Sequence, residues 1–209
     1  MKIVLASGNA HKYKEMKRAL APAGIELIFG KELIADFDVE ETGGTYAENS
    51  LLKARAWAEA TGMAALADDS GLEVEALDGQ PGIHSARIVE GSDKDRTNWL
   101  LEQLKEQENR KARFVACLTV VFTGNAQPMV VTGYCNGHIA KEARGEAGFG
   151  YDPVFIPEGC DKSFAELGAE IKEKISHRAK ALAALRQLFM RFNHAKSNGG
   201  IQIFRAEQQ

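Results

Sequence analysis

Cysteine is scarce in this chain. Cys117, Cys135 and Cys160 are the three present in 209 residues, and no two of them stand in a C-x-x-C spacing. An odd, scattered set supports neither a disulfide framework nor a zinc site, and the simplest address for free thiols is a reducing cytoplasm. An excess of positive charge is missing too: Lys and Arg number 26 against 29 Asp and Glu, a formal net charge of −3. Duplex nucleic acid and anionic membranes both select a basic face, so neither is expected as a partner. Long apolar runs are also absent. The opening Ile3-Val4-Leu5-Ala6 is too short for a secretory core or a membrane span, and nothing later approaches spanning length. A soluble cytoplasmic protein is the expectation.

What is present has the balance of a globular chain, with 44% hydrophobic and 26% charged residues. The length suits one domain, or one domain in two lobes. Lys2 to Ala6 reads as a short buried strand, followed by the turn Ser7-Gly8-Asn9. A helix then runs from about His11 to Leu20, with Tyr13, Met16 and Leu20 on one face and Pro22 and Gly24 ending it. Ile25 to Phe29 reads as the next strand. Gly43-Gly44-Thr45 introduces a helix to about Ala60, stopped at Gly62. Met63 to Ala67 reads as a strand that ends at Asp68-Asp69-Ser70-Gly71. Ala112 to Phe122, a turn at Gly124-Asn125, and Met129 to Tyr134 form a hairpin, so the sheet is expected to be mixed within an α/β fold. The last helix begins near Ser176 and carries Leu182, Leu185, Phe189 and Phe192 on one stripe. Ser197-Asn198-Gly199-Gly200 reads as a flexible joint before Ile201 to Phe204. Residues 1–192 are expected to be one unit, and 193–209 a tail.

Four segments can carry chemistry. In Ser7-Gly8-Asn9-Ala10-His11-Lys12, a helix N-terminus offers unpaired N–H groups and its positive dipole end. Simple capping by Ser7 or Asn9 is the plain alternative, but a lysine in the first turn opposes the dipole unless an anion comes. The stretch lacks the G-K-[ST] ending of a P-loop. Glu40-Glu41 and Asp68-Asp69 supply carboxylates. A hard cation such as Mg²⁺ takes one or two of these plus substrate phosphates, and adjacent like charges against a buried strand are costly without a cation. In Gly145-Glu146-Ala147-Gly148-Phe149-Gly150-Tyr151-Asp152-Pro153, glycines beside aromatics can leave a ring face open for stacking on a base; a tight loop that plugs Phe149 into the core is the plain alternative. Lys172 to Arg178 adds cations, with Ser176 as helix cap.

The strings SGNAHK, EETGGTYAENSLLKA, ADDSGLEVEALDGQPGIHSAR, GFGYDPVF and KEKISHRAKAL follow one another in this order. Together they closely resemble the inosine/xanthosine triphosphate pyrophosphatase family, which clears deaminated purine nucleotides, over residues 2 to about 192. The resemblance implies a mixed twisted sheet in two lobes with a central cleft, and Mg²⁺-dependent hydrolysis of ITP, dITP and XTP to monophosphate and pyrophosphate. It implies that Ser7, Gly8, Asn9, Ala10, His11 and Lys12 hold the triphosphate, Ser7 standing where many members carry Thr. Asp69 matches the general base and metal ligand, Ser70 stands beside the substrate, and Glu41 matches the second acidic metal residue. The sequence leaves Glu40 and Asp68 open for that second oxygen. Lys53 matches a lysine facing the phosphates. Phe149, Gly150, Tyr151 and Asp152 match the nucleoside pocket, and Lys172, His177 and Arg178 contact phosphate or base. A homodimer is implied, for which the apolar Phe114-to-Phe122 strand could supply a buried edge.

Base choice follows from hydrogen-bond pattern. Hypoxanthine and xanthine present an O6 acceptor and an N1–H donor; adenine presents the opposite pair. Each buried mismatch costs about 1–3 kcal/mol, so two supply roughly a hundredfold discrimination. Two other readings predict different behaviour: a Maf-like nucleotide pyrophosphatase would prefer other bases, and a non-catalytic nucleotide-binding protein would release no pyrophosphate.

Overall fold

A computed structural model describes residues 1–124 and 126–197, with side chains to 191. Strand β1 (Lys2–Leu5) buries Ile3, Val4 and Leu5 completely, as a parallel strand covered on both faces must. Asn9 caps helix α1 (Ala10–Leu20), which turns its Met16 and Leu20 inward. Gly24, at φ 69°, ends the turn that follows, and β2 (Glu26–Phe29) pairs parallel to β1. A single turn, α2 (Gly30–Leu33), leads on. Thr45 and Glu48 close a reciprocal capping box on α3 (Tyr46–Thr61), which Gly62 terminates at φ 64°.

Strand β3 (Ala65–Val74) overturns one expectation. It does not stop at Asp68; it runs ten residues, straight through Asp68-Asp69-Ser70-Gly71. The cause is non-local. After α4 (Asp93–Gln103), the long strand β4 (Lys111–Val121) pairs antiparallel with the whole of β3, placing Asp68 opposite Leu118 and Asp69 opposite Cys117. Strand β5 (Met129–Ile139) returns along β4, as the hairpin pattern indicates, and β6 (Phe155–Pro157) closes the row. The order β2-β1-β3-β4-β5-β6 makes the sheet mixed. It also corrects a second expectation, because β4 lies inside the sheet between β3 and β5, so the Phe114-to-Phe122 strand offers no free edge.

Helix α5 (Phe164–Ile175) changes direction at Gly168, and α6 (His177–Ser197) follows it at once, with the Ser176 hydroxyl accepting the Ala179 N–H. Neither α4 nor α5 was signalled by the hydrophobic pattern. Asn125 of the hairpin turn, the Phe192 side chain, Asn198-Gly199-Gly200 of the joint and the Ile201-to-Phe204 run lie outside the described residues, while Ser197 is the last residue of α6.

Three apolar clusters organise these elements. Ile3, Leu5, Met16, Leu66, Leu118, Leu185 and Phe189 join α1 and α6 to one face of the sheet. Val4, Ala54, Trp57, Ala65 and Ala67 join α3 to the other face. Leu72, Val74, Phe114, Tyr151, Phe155 and Phe164 fill the far half of the long strands. Where β1 ends at Leu5, paired with Leu66, β3 continues alone on that side. The cleft opens there, at the carboxyl end of a parallel strand.

Candidate active site

Strand alternation splits the two aspartates between the two faces of β3. Asp68 shares its side with Leu66 and Ser70, facing α1 and α6; Asp69 shares its side with Ala65 and Ala67, facing α3. Both groups of partners reach the uncovered edge, since Lys12 Nζ and Lys53 Nζ lie 3.4 Å and 3.3 Å from the Asp68 carbonyl oxygen. Two lysines from different helices thus converge at one point of bare strand.

On the α1 side, the Asn9 carboxamide oxygen accepts the N–H groups of His11 and Lys12 at 2.9 Å and 3.1 Å, and Ser7 Oγ accepts that of Asn9. The plain capping role is therefore realised. The Gly8 and Ala10 N–H groups form no hydrogen bond among the described residues and remain free to meet an anion. Burial lowers the Lys12 ammonium pKa, against the pull of Asp68 at 3.4 Å.

Asp68 is fully enclosed. Arg178 Nε donates to its Oδ2 at 2.7 Å, while Arg178 Nη1 reaches Glu15 at 2.7 Å and Nη2 reaches Ser70 Oγ at 3.1 Å. Burial alone would raise the Asp68 carboxyl; the Arg178 and Lys12 charges hold it well below the usual carboxylate range. Asp68 is thereby engaged through Oδ2 on the face away from Glu41, while its Oδ1 is buried with no hydrogen-bond partner among the described residues. Glu15 is a residue the sequence did not single out. It lies one turn along α1 from Lys12, a spacing that puts both on one face.

On the α3 side, Lys53 Nζ donates to Asp69 Oδ1 at 2.7 Å and to Glu41 Oε1 at 2.5 Å, and Arg87 pairs with the other Glu41 oxygen. Burial pushes the Asp69 carboxyl up; Lys53 opposes the shift and Glu41 adds to it. Partial burial would raise Glu41 as well, but Lys53 and Arg87 bring it down to about 2. Asp69 Oδ2 is buried with no hydrogen-bond partner among the described residues. No group of three or more His, Cys, Asp or Glu side chains gathers among those residues. Asp69 and Glu41, bridged by Lys53, are the two carboxylates on this side that could hold a cation, one with an unpartnered oxygen; a hard divalent ion can complete such a shell with phosphate and water. Glu40 makes no ion pair among the described residues.

The 149–152 loop forms the other wall. Gly148 and Gly150 sit at φ 86° and 62°, which favours glycine. A Cβ on Gly148 would collide with the Asp152 carboxylate, which accepts the Phe149 N–H at 2.9 Å. Asp93, at the start of α4, accepts the Gly150 N–H at 2.7 Å. Phe149 and Gly150 are half-buried at the rim, whereas Tyr151 and Asp152 lie beneath. Tyr151 donates to the Ser85 carbonyl at 3.0 Å, and burial pushes its phenol up to about 12. Asp152 binds Lys172 Nζ at 2.5 Å, and that ammonium lies 4.1 Å from the Phe149 ring centroid. His177 is buried and stacked on Phe114, centroids 4.7 Å apart; burial, then Arg178, lowers its pKa well below the usual imidazole value. A cavity of about 200 Å³ lies beside this wall, lined by His11, Glu15, Phe149 and Lys172 among others. A larger hollow of about 690 Å³ elsewhere is lined by Arg113 and Glu73, which pair with each other.

The Ham1 family model matches residues 3–188. The dITP/XTP pyrophosphatase of Aquifex aeolicus (strain VF5) is 46% identical over 196 residues, spanning 88% of this chain and 95% of that protein. The dITP/XTP pyrophosphatase of Haemophilus influenzae is 48% identical over 192 residues, spanning 88% and 97%. The solved structure of the Staphylococcus aureus Ham1 protein aligns with a TM-score of 0.83 at 41% identity, covering 92% of this chain and all of that one.

Proposed function

The chain belongs to the Ham1 family, and from that premise we propose that it hydrolyses dITP, ITP and XTP to the monophosphate and pyrophosphate. The observation that carries this reading is the meeting of Lys12 and Lys53 with Asp69 and Glu41 at the bare edge of β3. Polyphosphate needs cations along its length, and attack at its α-phosphorus needs a base within reach. Both requirements are supplied at one place.

In this reading Asp69 is the catalytic residue that orients the attacking water and takes its proton, and its raised carboxyl pKa suits a base better than an ordinary aspartate would. Lys12 and Lys53 meet the charge that develops on the departing pyrophosphate. Asp69 and Glu41 would hold Mg²⁺, whose chemistry when bound is neutralisation of phosphate charge. Ser7, Gly8 and Ala10 line the phosphate end. Phe149 and Gly150 face the base, with Tyr151, Asp152 and Lys172 fixing their loop from below.

Arg178 is the donor for O6. Its three nitrogens are each engaged once, yet Nη1 and Nη2 keep a second N–H each. Adenine's amino group would meet that donor and lose its own partner, at a cost of about 1–3 kcal/mol.

The working unit in this reading is a homodimer in the cytoplasm, and its task is removal of deaminated precursors before they enter DNA or RNA. No helix among the described residues is long and apolar enough to cross a membrane. The test is purified protein with ITP, XTP, dGTP and ATP, scoring pyrophosphate apart from orthophosphate, with and without Mg²⁺. Pyrophosphate release from ITP and XTP that depends on Mg²⁺ supports the reading; equal turnover of ATP, or orthophosphate as the product, defeats it.

A further inference from the structure

His11 and Lys12 are neighbours in sequence, but their side chains go to different places. Lys12 reaches Asp68 across the cleft, while the His11 imidazole lies on the Phe149 ring, centroids 5.2 Å apart and planes within 24°. Successive residues of a helix diverge by roughly 100°, so the end of α1 addresses two parts of the cleft at once. The resemblance groups His11 with the residues that hold triphosphate; its ring lies at the opposite, aromatic end.

Three groups lie against Phe149: Lys172, His11 and, further off at 5.9 Å, the Arg178 guanidinium. Lys172 is fixed: its side chain is buried and tied to Asp152, with Glu15 at 3.7 Å. His11 is exposed, and among the described residues its side chain makes no hydrogen bond or ion pair. The ring contact with Phe149 holds it, with the Asp93 carboxylate as an electrostatic neighbour, and the cavity of about 200 Å³ opens directly beside the pair. A near-parallel pair of rings, one fixed and one free, can part to admit a third flat ring. One weak contact is then exchanged for two.

We propose that His11 is a specificity-determining residue that closes over the purine, so that the base is held between the His11 and Phe149 rings. This rests on the reading of the 149–152 loop as the base wall. A clamp of this kind grips any flat base; its effect is to make binding depend on the base as well as on the phosphates, while Arg178 chooses among purines.

The experiment compares wild type, His11→Ala and His11→Phe, measuring KM and kcat for ITP and the inhibition constant of inorganic tripolyphosphate, which carries no base. Ala at 11 should raise KM for ITP about 5- to 20-fold, given the usual strength of base–ring stacking, and should change kcat less than about twofold. Tripolyphosphate inhibition should not move, and Phe at 11 should restore KM. An unchanged KM in His11→Ala overturns the clamp. So does a tripolyphosphate constant that rises in step with KM, which would return His11 to the phosphates, or a Phe variant as weak as the Ala variant. If wild type releases no pyrophosphate from ITP, the pyrophosphatase reading fails by itself. The clamp is then decided by equilibrium dissociation constants of ITP and tripolyphosphate for the same three proteins, with the same outcomes for and against.

Discussion

Asp69 sits where function and stability pull against each other. Its side chain is 8% exposed, Oδ2 has no partner among the described residues, and a second carboxylate, Glu41, shares its lysine. A buried carboxylate so placed is expensive unless a cation joins it. Asp69→Asn keeps the shape and removes the charge, while Lys53 keeps Glu41. We expect kcat for ITP to fall at least about 100-fold, the usual contribution of a positioned base, with a melting temperature equal to or above wild type. A variant that loses turnover only because it unfolds would show a lower melting temperature and would remove Asp69 from the catalytic role. The residues of this centre were largely legible, because Asp69, Lys12 and Lys53 lie in distinctive strings. Glu15, Arg87 and Asp93 were not. Each acts by holding another functional group, Arg178, Glu41 or Gly150, and a supporting carboxylate or guanidinium looks like any surface charge until its partner is placed beside it.

The elements were legible where local signals agree and lost where distant ones decide. Thr45 and Gly62 mark α3 in the sequence itself, and the structure adds Glu48 as the other half of its capping box. Asp68-Asp69 reads as a stop because charges are depleted in strand interiors; β4 pairs across it regardless, and Lys12, Arg178 and Lys53 neutralise it from helices far along the chain. Helix α5 has no continuous period because Gly168 breaks it at φ 77°, and α4 buries little more than Thr97 and Leu100. One glycine fixes how α6 meets the sheet. A Cβ on Gly133 of β5 would strike the His177 carbonyl and, at 2.5 Å, the Ala181 nitrogen, with the Ala181 methyl at 3.0 Å. Gly133→Ala must therefore push away the start of α6, which carries Arg178 towards Asp68. Overpacking of this kind costs about 1–3 kcal/mol, so we expect a lower melting temperature together with a raised KM for ITP. Adding Ala181→Gly should not rescue it, since the closer obstacles are backbone. Rescue by that second change would show that side-chain crowding alone was responsible.

At the scale of the whole molecule, the site is also the seam between the core clusters. His177 stacks on Phe114, which belongs to the far cluster, while Ala181 and Leu185 of the same helix belong to the cluster under α1. The imidazole is buried, its Nδ1 has no partner among the described residues, and desolvation, followed by the charge of Arg178, holds its pKa well below the usual 6.5. The sign of the consequence follows from linkage. Below pH about 6.5 the unfolded chain takes up a proton that the folded chain refuses, so stability is full above that pH and declines as pH falls, by up to about 1.4 kcal/mol per pH unit. Asp68 acts in the same direction lower down: held below the usual carboxylate range by Arg178 and Lys12 against its own burial, it contributes stability that is present above pH about 4 and lost as pH falls further. Urea unfolding of wild type between pH 8 and pH 5 should therefore show a plateau and then a slope, and His177→Gln, which cannot charge, should flatten that slope. If the variant keeps the wild-type slope between pH 6.5 and pH 5, the acid sensitivity belongs to other groups, and the seam at His177 is not where protons begin to open the fold.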